Sequence, residues 1–134
     1  MGIFDGKSNF AYGTVLTAPS PASSGTTLIL NSGQGALFPD PTVAQYNITI
    51  WPISTQPTST NAEIVRVTAK STDTLTITRT QESTSARTIV VGDQVALTIT
   101  KKNVTDIEDI LGLSPTDLKL STASQGGVFN GDFE

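Results

Sequence analysis

The stretch Glu63-Ile64-Val65-Arg66-Val67-Thr68-Ala69-Lys70-Ser71-Thr72-Asp73-Thr74-Leu75-Thr76-Ile77-Thr78-Arg79-Thr80 decides the fold class. Its first run puts Val65 and Val67 on one face. Its second puts Leu75 and Ile77 on one face and Thr74, Thr76 and Thr78 on the other. Period-two alternation marks a strand with one dry and one wet face. Lys70-Ser71-Thr72-Asp73 supplies turn chemistry between the runs, so the stretch predicts an antiparallel hairpin with strands over 63–69 and 74–80.

The same pattern recurs on both sides. Strands are predicted over 10–17, over 26–31 with Leu28 and Leu30 together, and over 46–51 with Tyr46, Ile48 and Ile50 on one face. Asn47, Thr49 and Trp51 take the other face, and Pro52 ends the run. Further strands are predicted over 88–91 and over 94–100, the latter with Val95, Leu97 and Ile99 inward. Pro19-Ser20-Pro21, Ser32-Gly33-Gln34-Gly35, Phe38-Pro39-Asp40-Pro41, residues 54–61 and Gly92-Asp93 read as loops and turns. Six or seven short strands, each with one apolar face, imply an all-β fold: a small antiparallel β-sandwich or barrel.

After Thr100 the period changes. Thr105-Asp106-Ile107-Glu108 has the spacing of a capping box. Ile107, Ile110 and Leu111 fall on one helical stripe, and Gly112 suits a helix end. Ser114-Pro115 reads as a second helix start. The expected organisation is a polar leader over 1–9, a β module over 10–102, a short helical segment over 103–120, and a linker or start of a following module over 121–134.

Composition narrows the chemistry. The 134 residues include no cysteine and no histidine, and carry a formal net charge of −4. Disulfides, thiolate nucleophiles, histidine bases and Cys/His metal sites are thereby excluded. Mild acidity argues against nucleic acid as main partner, because phosphate binding needs clustered Lys and Arg. The one adjacent basic pair is Lys101-Lys102. No run approaches the roughly 18 apolar residues of a membrane span. Met1-Gly2 lacks the Ser or Thr that myristoylation wants at position 6. Asn47-Ile48-Thr49 and Asn103-Val104-Thr105 are glycosylation-type triplets, common by chance in a chain that is about a quarter Thr plus Ser.

Candidate chemistry is sparse. Glu63, Asp73, Glu82 and Asp93 fall near strand ends or turns, where Asp commonly serves the backbone. No spacing pairs two of them across a cleft, as glycoside hydrolysis requires. Asp106, Glu108 and Asp109 are accounted for by helix capping. Gly33-Gln34-Gly35 lacks the lysine and spacing of a phosphate loop. Trp51, Tyr46 and Phe38 are the candidate sugar platform. Arg79 or Arg87 is expected to pair with Glu82 and order the loop between two strands. The expectation is therefore a non-enzymatic protein without cofactors.

The segments Thr17-Ala18-Pro19-Ser20-Pro21-Ala22, Ile50-Trp51-Pro52, residues 61–68, Thr76-Ile77-Thr78-Arg79-Thr80-Gln81-Glu82 and Ala86-Arg87 through Gly92-Asp93-Gln94-Val95 resemble a small β module of tailed-bacteriophage structural proteins. That module commonly lies near the N-terminus of tail-fibre, tail-spike or head-fibre proteins. The resemblance spans roughly 9–109 and carries no catalytic residues. It implies a virion protein whose β module anchors a trimeric fibre or spike to tail, collar or capsid proteins. Host-surface glycans would be met only through downstream modules. A head-fibre, collar or capsid decoration protein is the alternative, and a carbohydrate-binding module a second. Apolar residues outside the alternating core give the expected contact surface: Phe4, Phe10, Trp51, Pro52, Ile107, Ile110 and Leu111.

Overall fold

The computed structural model describes residues 4–112. Six strands form a closed, wholly antiparallel barrel: β1 (Tyr12–Thr17), β2 (Thr27–Leu30), β3 (Tyr46–Trp51), β4 (Glu63–Ser71), β5 (Thr74–Gln81) and β6 (Gln94–Ala96). Around the barrel the order is β1-β2-β5-β4-β3-β6, with β6 closing on β1. The stretch that opened the sequence reading is the β4–β5 hairpin, with Ser71 opposite Thr74. Closure removes the unpaired strand edges that an open sheet of this size would expose.

The alternation seen in sequence fills the interior. Val15, Leu28, Leu30, Tyr46, Ile48, Ile50, Val65, Val67, Leu75, Ile77 and Val95 are buried and form one core with Ala11, Phe38 and Ile89. The β2–β3 connection holds a short 3-10 turn, η1 (Gln34–Leu37). Asp73, in the β4–β5 turn, accepts from the amides of Gly33 (3.0 Å) and Gly35 (2.8 Å) at that turn. Gly35 lies so close to the hairpin that a Cβ there would stand 2.0 Å from the Thr72 carbonyl oxygen.

Several expectations change. Residues 88–91 form no strand, although Ile89 is fully buried. They are held singly, by Ile89 N donating to Ala22 O and Val90 N to Asp93 Oδ2. Strand β6 ends at Ala96. Leu97 still packs on the core and donates to Ala11 O, but Ile99 is 85% exposed, not inward. Beyond Leu97 no ladder bond holds the chain in register, so the alternation carries no directional meaning there.

The described residues fall into two units, divided after Lys101. The helix α1 (Lys101–Leu111) begins four residues before Thr105, so Thr105 and Glu108 lie inside it and form no capping box. A Lys102–Asp106 pair one turn apart supports it, and Gly112, with φ +66, ends it as expected. The second helix start at Ser114 and the segment over 121–134 lie outside the described residues.

Candidate functional site

Charged side chains in the barrel are first of all structural. Glu63 is in phase with Val65 and Val67, and Arg79 with Leu75 and Ile77, so both point inward at one barrel end. Glu63 is 0% exposed and takes four hydrogen bonds. They come from Arg79 Nε (2.8 Å), Arg79 Nη2 (2.7 Å), Thr80 N (2.9 Å) and Arg87 N (2.9 Å). Arg79 also donates to the carbonyls of Ala22, Gly25 and Arg87, drawing two loops onto the barrel end. Burial alone pushes the Glu63 carboxyl up. The Arg79 side-chain bonds, the Arg87 and Thr80 amides, and the Arg79 charge outweigh it and hold the carboxyl below its usual value.

Beside this plug, Arg87 Nη2 donates to Asp93 Oδ2 at 2.6 Å, and Arg87 Nη1 reaches Asn61 O. The expected Arg79–Glu82 or Arg87–Glu82 pair does not form. The arginines find Glu63 and Asp93, which are buried, and Glu82 accepts from Asn47 Nδ2 at 2.8 Å. Glu63 and Asp93 present their carboxylates inside the barrel end where the guanidinium groups lie, whereas Glu82 is half-exposed at the loop and is held by Asn47.

A second cluster lies on the outside of β3 and β4. Asn47 stands opposite Arg66 in the ladder. Arg66 makes a bidentate pair with Asp5, Nη2 to Oδ1 at 2.9 Å and Nη1 to Oδ2 at 3.2 Å. It also donates to Gln45 Oε1 and Asn47 Oδ1. Gly6 N donates to Gln45 O at 3.0 Å, and Ser8 Oγ to Leu37 O at 2.8 Å. The leader is thus bound along the barrel from Asp5 to Ser8. Asn47 is buried within this cluster, so its glycosylation-type triplet offers no accessible acceptor.

The expected contact residues fall on the leader, at the end of β3 and on α1. Phe4 is exposed, with Lys7 Nζ 5.6 Å from its ring centroid. Phe10 is 87% exposed and has φ +59, a conformation rare outside glycine. Trp51 and Pro52 are half-buried at the far end of β3 from the leader, about 20 Å along the chain from Gln45. Trp51 Nε1 donates to Thr55 O at 3.1 Å. Ile107, Ile110 and Leu111 are exposed on α1 together with Val104. The sugar platform is not built: Phe38 and Tyr46 are buried and stacked on each other, 6.5 Å between centroids, leaving Trp51 alone.

The sequence reading missed Tyr12 and Leu16, on the outward face of β1, and Val90 and Val91 in the β5–β6 connection. Gly92 N donates to Val15 O, so this loop end lies against β1. Alternation already put Tyr12 and Leu16 out of phase with the buried Val15. Among the described residues no group of three acidic side chains is placed to hold a metal ion, and no helix is long and apolar enough to cross a membrane. No protein-family model matches the chain, and no match to a curated protein was found.

Proposed function

We propose that this chain is a structural protein of a tailed-bacteriophage virion, acting as the N-terminal anchoring module of a tail fibre or tail spike. The observation that carries the reading is the division of labour between inside and outside. The residues through which the sequence resembles such modules include Glu63, Arg79, Arg87 and Asp93. These four lock the barrel end with buried ion pairs. Large apolar side chains stand exposed on the outer surface at Phe10, Tyr12, Leu16 and Val91. A filled barrel with rigid ends and greasy outer positions suits adhesion to neighbouring subunits.

On this reading the partners are tail, collar or capsid proteins, the chain assembles as a homotrimer, and its place is the virion. No step of catalysis is invoked. Phage carrying Phe10→Ser or Leu16→Ser should incorporate the protein at least tenfold less, by immunoblot of purified particles, while the purified variants keep their melting temperature. Unchanged incorporation of both variants overturns the reading. Antibody labelling of intact particles then separates the sites. Tail-tip label supports a fibre or spike anchor, whereas head or collar label makes the chain a head fibre or decoration protein.

A further inference from the structure

The cluster outside β3 and β4 is a built recognition site whose occupant is visible. Arg66, flanked by Gln45 and Asn47, grips one carboxylate through two parallel hydrogen bonds, the geometry that fixes orientation as well as charge. The next residue must be glycine: a Cβ on Gly6 would stand 2.7 Å from Ala44 O. The slot therefore reads an Asp-Gly pair. A single short link, Asn9 and Phe10, joins this strap to the barrel at Ala11.

That link is strained. Phe10 holds φ +59, a left-handed conformation that crowds the Cβ of a non-glycine residue. It also leaves its ring 87% exposed. Straightening the link would remove the strain and carry Asp5-Gly6 off its own barrel. The three Cα–Cα steps from Ser8 to Ala11 span about 10 Å when extended, a short reach that suits a second barrel packed directly against the Phe10 face. A short strained hinge favours exchange of the element it tethers. We propose that the Gln45–Asn47–Arg66 slot receives the Asp5-Gly6 strap of a second copy of this chain, with Phe10 covered at the junction. Exchange of this head-to-tail kind closes into a ring when the rotation permits.

The absence of cysteine makes the test direct. Ser8→Cys and Leu37→Cys are placed singly in two full-length chains, one bearing a size tag, and both keep Asp5, Gly6 and Arg66. The chains are co-expressed and treated with a short bismaleimide. Exchange gives a mixed tagged–untagged product, and adding Asp5→Ala to the Ser8→Cys chain lowers its yield at least tenfold. The proposal is overturned if the mixed product is absent while a Ser8→Cys/Leu37→Cys double variant closes within one chain. It is equally overturned if the mixed product survives Asp5→Ala. This experiment needs no phage particle, so it can fail while the incorporation test succeeds, and the reverse.

Discussion

At the scale of single residues, Glu63 and Arg79 show how charge can be a core element. Removing one member of a buried pair strands the other, at a cost of about 3–5 kcal/mol. Glu63→Gln should therefore lower unfolding stability by about 3 kcal/mol in urea titrations at pH 7. The sign with pH follows from the depressed carboxyl. Its stabilising contribution is fully present above the unfolded value of about 4.3 and is lost as pH falls through the lower folded value. The gap between wild type and Glu63→Gln should accordingly be constant from pH 7 to 5 and shrink below pH 4. Tyr46 is the opposite case. Its hydroxyl is buried without a hydrogen-bond partner among the described residues, and burial drives its acidity far from the physiological range. Tyr46→Phe removes that unpaired group while keeping the ring on Phe38. It should change stability by less than about 0.5 kcal/mol or raise it. Ile48→Ala, which empties core volume on the same strand, should cost about 2–5 kcal/mol in the same assay.

At the scale of elements, the β4–β5 hairpin was legible because alternation and turn chemistry agreed. Val65, Val67, Leu75 and Ile77 are all buried, as their spacing required. The same spacing placed Glu63 and Arg79 inward, but their charge argued for the surface, and only the pairing partner resolves that conflict. The Asp5–Arg66 pair was not legible at all: 61 residues separate its members, and no local pattern encodes a contact of that range. Ile99 and the start of α1 went astray for a different reason. Where the ladder stops is set by the partner strand, and β1 offers Ala11 O as its last acceptor toward β6. Turns that touch another element carry the sharpest test. Gly35 is wedged against Thr72 and Asp73, so Gly35→Ala must push η1 off the hairpin and loosen the Asp73 bonds to Gly33 and Gly35. Overpacking of this kind costs about 1–3 kcal/mol. The melting temperature should fall by about 5–15 °C, read by circular dichroism.

At the scale of the whole molecule, two surfaces invite company for different reasons. The barrel is stable by closure, so its exposed Phe10, Tyr12 and Leu16 are not needed to hold it together. The helix α1 is the reverse case. It has 11 residues, none buried, and a stripe of Val104, Ile107, Ile110 and Leu111. Isolated helices below about 12–15 residues are marginal in water, so this stripe gains from being covered, and the proposed trimer would cover it with copies of itself. If the chain assembles as the proposed trimer, light scattering of the full chain should give three times the single-chain mass. Ile107→Asp combined with Leu111→Asp puts charges into the shared seam. That variant should lower the measured mass toward one chain at micromolar concentration, while the barrel's urea midpoint stays put. A wild-type chain that scatters as a monomer at every concentration would remove the trimer. It would leave the barrel's adhesive role to be carried by Phe10 and its neighbours alone.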